Sequence, residues 1–404
     1  MSLADLFFNI VQADFVSLES QQITEQIRML EKFEFQVAEQ LGIPAEDIDS
    51  VRIHLEAKNK ALQDIGYSLS LGRLCKLHRL CLQYSHAQQN LPVDLELCPS
   101  PPGVPHRVDA SRFWAILIGI DEYLSYPLCG CVSDVQLMER YLTEDLSVPS
   151  NRIQLLLGSK EHLSPKDPIY PSRAHIVGTL LSLITNSKIA HGDNIIIYYS
   201  GHSSYYPYHM EEDNEPEYIE TLCPIDRDTP GENSRPVPDI SNWELNMILS
   251  LIAQAKGHCI TVILDCCHSS SVSRGLPEPG AHTFPPMTRA TLSEMLFAGE
   301  KNLSHYPNYR SILDKDWHPD VDSHVILAAC MEYQYAKAKP VKMEDGTVTG
   351  YIGIFTDSLV RALWSGHWRK ETTYVDLLHH LDMIPCQTPV IAGNRKSSCI
   401  WYQG

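Results

Sequence analysis

The chain has 404 residues, 44% of them hydrophobic, with 32 Lys and Arg against 50 Asp and Glu, a formal charge of −18. That length accommodates one large α/β domain plus a smaller module, and the hydrophobic fraction is ordinary for a packed globular protein. The acidity argues against a nucleic-acid partner, which needs clustered Lys and Arg to neutralise phosphates, and favours cationic substrates or partners.

Residues 1–90 carry helical periodicity without strand alternation. Ile23, Ile27, Leu30, Val37 and Leu41 line one helix face, and Gly42 followed by Pro44 supplies a stop signal. Ile48, Val51, Leu55, Leu62 and Ile65 repeat the pattern, and Leu71, Leu74, Leu77 and Cys81 suggest one more helix. This N-terminal helical module is either a bundle packed on itself or a prodomain that self-associates or docks a protein partner. Residues 91–111 hold Pro92, Pro99, Pro101, Pro102 and Pro105 without periodicity, a linker and domain boundary.

From residue 112 to 404, strands and helices alternate. Strands are expected at Phe113–Ile120, Arg152–Leu157, Ile195–Tyr199, Ile260–Leu264 and His324–Ala329. Helices are expected at Val132–Thr143, Arg173–Thr185, Trp243–Ala255, Ile354–Trp364 and Tyr374–Leu381, with Ser241-Asn242-Trp243-Glu244 a capping box. The rhythm implies an α/β fold, a mostly parallel sheet with helices on both faces. Two stretches interrupt it. Residues 203–240 are acidic and polar, and 271–322 reads as a long loop with little periodicity.

Two of the buried runs end in polar residues. Ile195 to Tyr199 leads into Ser200-Gly201-His202-Ser203, and Ile260 to Leu264 into Asp265-Cys266-Cys267-His268-Ser269. Open α/β sheets place their active sites at the carboxyl ends of strands. A cysteine and a histidine delivered there are the parts of a thiol nucleophile and its base, with the amides of Cys267 and Ser203 available to an oxyanion. Taken singly, adjacent cysteines at a strand end are more often small buried hydrophobes, and a lone histidine a surface residue. Zinc is disfavoured, because ligand pairs usually sit about two to four residues apart and need a second pair elsewhere.

At these residues the sequence resembles the caspase superfamily, specifically the metacaspases and their fungal-type caspase-domain relatives. Tyr198-Tyr199-Ser200-Gly201-His202, Asp265-Cys266-Cys267-His268-Ser269 and Leu128-Cys129-Gly130-Cys131-Val132-Ser133-Asp134 carry the resemblance. Glu220-Thr221-Leu222-Cys223-Pro224-Ile225-Asp226, His324 to Cys330, Gly353-Ile354-Phe355-Thr356 and Gln387-Thr388-Pro389 support it. It implies a caspase-like, mostly parallel six-stranded sheet flanked by helices, and a cysteine endopeptidase with Cys267 as nucleophile and His202 as general base. It further implies that Asp134 and Asp265 wall the pocket for the residue before the scissile bond. Two carboxylates favour Arg or Lys there through charge-assisted hydrogen bonds, so the substrates are polypeptides cut after Arg or Lys.

Ser203 and Ser270 stand where the family has glycine, and a serine would be strained if position 203 needs positive φ. Many metacaspases bind calcium, but Asn242-Trp243 and Arg274 stand where acids are typical, so a family-type calcium site is incomplete and no cofactor is required, with calcium held through the acidic run 211–220 as the open alternative. Arg274, Arg289, Lys301, Arg310 and Lys315 in 271–322 are potential self-cleavage sites. The rival reading is a catalytically weakened caspase-like scaffold or regulator acting through its N-terminal helices. No apolar segment reaches the roughly 18 residues of a membrane span, no cleavable N-terminal leader is visible, and the twelve cysteines are scattered, so a reduced, cytoplasmic protein is expected.

Overall fold

The computed structural model describes residues 108–404, apart from 210–216, 232–233, 267–289, 315, 331–335, 344–346, 366–370, 383–386 and 404. The helical module at 1–90 and most of the linker at 91–111 lie outside the described residues. So does Cys267.

Strand β1 (Phe113–Ile120) is buried along its whole length, which is why it reads as an unbroken apolar run. Its side chains alternate between two cores. Trp114, Ile116, Ile118 and Ile120 face one cluster, and Phe113, Ala115 and Leu117 the other. Each fully buried aliphatic or aromatic side chain contributes about 1.5–3 kcal/mol, so the two-sided strand anchors the domain.

Around it lie β2 (Ile153–Gly158), β3 (Asn194–Ser200), β7 (Ile260–Asp265), β8 (Val325–Ala328) and β11 (Val390–Ala392). The six-stranded order is β11-β8-β7-β3-β1-β2, parallel throughout except for the antiparallel β8–β11 pair. Helices α2 (Arg173–Thr185) and α3 (Asn242–Lys256) cover the first face. Helices α1 (Cys131–Arg140), α5 (Ile354–Trp364) and α6 (Tyr374–His380) cover the second. The sequence places β1, α2 and α5 at their observed bounds.

Elsewhere the structure departs from the sequence reading. The acidic stretch 203–240 is not merely irregular. It contains β4 (Ser203–His209), β5 (Glu217–Leu222) and β6 (Ile240–Ser241), a three-stranded antiparallel sheet. The buried Tyr206 and Ile219 give it an apolar side that the many acids mask. The supposed loop 271–322 contains helix α4 (Leu292–Leu303). Thr291 and Glu294 cap each other reciprocally at its start, and Met295, Leu296 and Leu303 are buried. The expected helix Val132–Thr143 is α-helical only to Arg140 and closes in a wider turn over Tyr141–Asp145. A hairpin of β9 (Ala338–Lys342) and β10 (Val348–Gly353), largely solvent-facing and rich in Lys, Thr and Gly, went unread. Among the described residues no helix is long and apolar enough to cross a membrane.

Candidate active site

Strands β3 and β7 are neighbours in register, with Ser200 opposite Asp265 on the last shared rung. His202 follows the first of these by two residues, as Cys267 follows the second. The chain turns sharply at Gly201, where a Cβ would lie 2.7 Å from the Tyr123 hydroxyl and 2.8 Å from that of Tyr199. Only glycine admits both phenols so close to the backbone.

Those phenols fix the histidine's main chain. The His202 N–H donates to Tyr123 Oη at 3.0 Å, and the Tyr199 hydroxyl donates to the His202 carbonyl at 2.6 Å. The Tyr123 hydroxyl in turn donates to the Cys223 carbonyl at 3.0 Å. Burial pushes both phenols well above their ordinary range, so they stay neutral donors. The Tyr123 ring lies against the imidazole, centroids 4.6 Å apart.

The imidazole itself is buried, with Nε2 2.7 Å from the Tyr126 carbonyl. A carbonyl only accepts, so Nε2 carries the proton of the neutral ring and Nδ1 keeps the basic lone pair. Tyr126 makes this contact from a left-handed backbone, φ 57°, uncommon for a residue with a side chain. The tyrosine trio 123, 126 and 199 is what sequence reasoning missed here. The Tyr-Leu-Ser-Tyr loop after β1 carried no motif that would have flagged it.

Ser203 opens β4 opposite Leu222 and is buried. It is not among the residues at positive φ, so a serine is unstrained where a glycine was the family expectation. Cys266 is 5% exposed, packed into the first core, and burial raises its thiol well above the ordinary range. A thiol so placed is inert, which leaves Cys266 a core residue.

Asp134 and Asp265, far apart in sequence, are brought together with no exposed surface. Asp134 comes from the first turn of α1, whose leading amides of Cys131 and Val132 are capped by Asp121 from beyond β1. It accepts from the Gly353 N–H at 2.6 Å and from the Ser200 hydroxyl at 2.9 Å. Asp265 accepts from Thr356, through the backbone N–H at 3.2 Å and the hydroxyl at 2.6 Å. Gly353 sits between them, and a Cβ there would collide with Oδ2 of both carboxylates. Burial first, and the facing Asp265 second, push the Asp134 carboxyl well above the usual carboxylate range, against the pull of the Gly353 and Ser200 hydrogen bonds. Gly353 and Thr356 are quoted motif residues whose role the sequence did not disclose, and Ser200 is a third such supporter.

Among the described residues no cluster of three or more His, Cys, Asp or Glu could hold a metal ion. Cys129, Cys131, Cys223, Cys259, Cys266 and Cys399 are free thiols.

Residues 114–274 match the family model described as metacaspase, peptidase C14 domain. The chain is 30% identical over 158 residues to Metacaspase-1A of Aspergillus oryzae, across 39% of this chain and 34% of that protein. It is 29% identical over 185 residues to Metacaspase-3 of Arabidopsis thaliana, across 44% of this chain and 43% of that protein. The match thus spans less than half the length of either relative. The crystal structure of protein GSU0716 from Geobacter sulfurreducens is similar at 18% identity and a TM-score of 0.47, over 72% of this chain and 99% of that one. Residues 114–274, which include β1, β3, β7, His202 and the paired aspartates, are thus similar to the metacaspase peptidase C14 domain.

Proposed function

We propose that the protein is a cysteine endopeptidase that cleaves polypeptides after Arg or Lys. The Cys267 thiol gives its proton to Nδ1 of His202, and the thiolate attacks the scissile carbonyl carbon. The developing oxyanion is held by the backbone N–H groups of Ser203 and Cys267. The imidazolium then protonates the leaving amine, and water, deprotonated by His202, hydrolyses the thioester. The cationic side chain before the scissile bond is received by Asp134 and Asp265. A cytoplasmic setting and the division into a 1–90 module and a 112–404 peptidase domain belong to the same reading.

The single observation that carries it is the shared rung Ser200–Asp265, from which both proposed catalytic residues lie two positions on. The decisive experiment is turnover of fluorogenic peptides ending in Arg, Lys or Asp, with and without calcium, by native protein and the Cys267→Ala, Cys266→Ala and His202→Ala variants. Arg and Lys turnover lost in Cys267→Ala and His202→Ala but kept in Cys266→Ala is the expected result. Absence of turnover by a folded native protein would overturn it.

Self-processing within 271–322 extends the proposal. Lys301 is the least suitable site, because it lies in α4 and a scissile segment must be extended. Mapping new N-termini after incubation tests this; cleavage after Lys301 ahead of Arg274, Arg289, Arg310 and Lys315 would refute it. The scaffold reading draws on one observation, the complete burial of Asp134 and Asp265, and the same peptide assay decides between the two.

A further inference from the structure

Helix α5 begins between the two carboxylates. Its N-cap residue Gly353 donates to Asp134, and its third residue, Thr356, donates twice to Asp265 Oδ2. Because the Thr356 hydroxyl proton is committed to Asp265, the 2.5 Å contact between Thr356 Oγ1 and the Tyr198 hydroxyl has Tyr198 as donor. The chain Tyr198 to Thr356 to Asp265 therefore runs one way, each donor polarising the next. Tyr198 reaches it from mid-strand in β3, opposite Ile263, and is fully buried, with burial keeping its phenol neutral. The carboxylates are thus aimed by the sheet and by one helix start.

We propose that Thr356 is a positioning residue for substrate specificity: its hydroxyl, backed by Tyr198, turns the Asp265 carboxylate toward Asp134, so that the pair meets a single guanidinium or ammonium group. The inference rests on the reading of this pair as the receptor of an Arg or Lys side chain. Thr356→Val keeps the shape and the backbone N–H and removes only the hydroxyl, whereas Thr356→Ser restores it. A lost hydrogen bond to a charged group weakens binding by about ten- to a hundredfold.

The experiment is steady-state turnover of Arg- and Lys-ended peptides by native protein, Thr356→Val and Thr356→Ser, beside melting of the same proteins from acid to neutral pH. Thr356→Val is expected to raise KM at least about tenfold while kcat stays within about twofold, and Thr356→Ser to recover most of the loss. An unchanged KM, or a loss confined to kcat, overturns the proposal. Melting needs no activity. The Thr356→Val protein should melt below the native one at neutral pH, with the gap closing on acidification as the carboxylate it serves is protonated. A gap independent of pH overturns the proposal as well. A native protein that turns over no peptide defeats the endopeptidase reading, and the melting series still decides whether Thr356 serves an ionised Asp265.

Discussion

Asp239 and Asp134 are both fully buried carboxylates, and the fold compensates them in opposite ways. Asp239 meets a buried Arg227 in a two-pronged pair, 2.9 Å at each contact, with the Tyr206 hydroxyl donating at 3.2 Å. Asp134 meets neutral donors and a second carboxylate. Burial raises both acids. The next influence on Asp239 is the lowering effect of Arg227, and on Asp134 the raising effect of Asp265. The first arrangement is electrostatically finished and holds the three-stranded β4–β5–β6 sheet to the loop after β5. The second has a charge surplus that an incoming cation would relieve. The contrast separates a carboxylate whose cationic partner lies within the fold from one proposed to receive a cation from outside.

The largest effect is expected at the proposed receptor pair, Asp134 and Asp265. Asp134→Asn or Asp265→Asn should lower kcat/KM for Arg peptides by about two hundred- to five thousandfold, the scale of a buried charge left without its partner, about 3–5 kcal/mol. Turnover of Arg peptides within a few-fold of native would break the comparison. A similar loss, but of stability, is expected at the finished pair. Arg227→Met strands the buried Asp239 and should cost about 3–5 kcal/mol in denaturant unfolding. Asp134→Asn should by contrast match or exceed the native midpoint at neutral pH, because it removes a like-charge contact.

The pH dependence sharpens the distinction. In the folded chain Asp134 titrates well above the ordinary carboxylate value that it has when unfolded. Folding therefore takes up a proton between those two values. Its stabilising effect is complete below the unfolded value and is lost as pH rises through the folded one. Over that same rise the carboxylate becomes able to bind a cation, so KM for Arg peptides should fall while the melting temperature declines. Both trends should vanish in Asp134→Asn. The smallest effect is expected at Ser203. Since its backbone is unstrained, Ser203→Gly should change stability by no more than about 1 kcal/mol, read by thermal melting.

What the sequence disclosed follows from how each part is built. Strands β1, β3 and β7 are buried on both faces, so continuous apolar runs mark them and their polar ends point to the site. Helices α2 and α3 announce themselves by period and cap. The β4–β5–β6 sheet was hidden because the sequence between β4 and β5 is acidic, and β11 because three residues make no pattern. Helix α4 did carry a signal, Thr291-Leu292-Ser293-Glu294 followed by Met295 and Leu296, overlooked beside the prolines before it. The site divides the same way. His202, Asp134 and Asp265 lie in legible motifs. The Tyr123 and Tyr126 contacts that hold the histidine, and the Ser200, Gly353 and Thr356 contacts that aim the acids, are long-range pairings that no local spacing reveals.

The rung that pairs Ser200 with Asp265 also sets which genetic changes this site tolerates. The residues that follow it, 201–203 and Cys266, take their reach from one level of the sheet. A codon inserted or deleted within β3 or β7 would slide one segment past the other by about 3.3 Å and turn its side chains to the opposite face. Point substitutions can accumulate in both strands, each limited only by volume and polarity. Their lengths are locked to one another, so the spacing between these strands and the site is a constraint of reading frame as much as of chemistry.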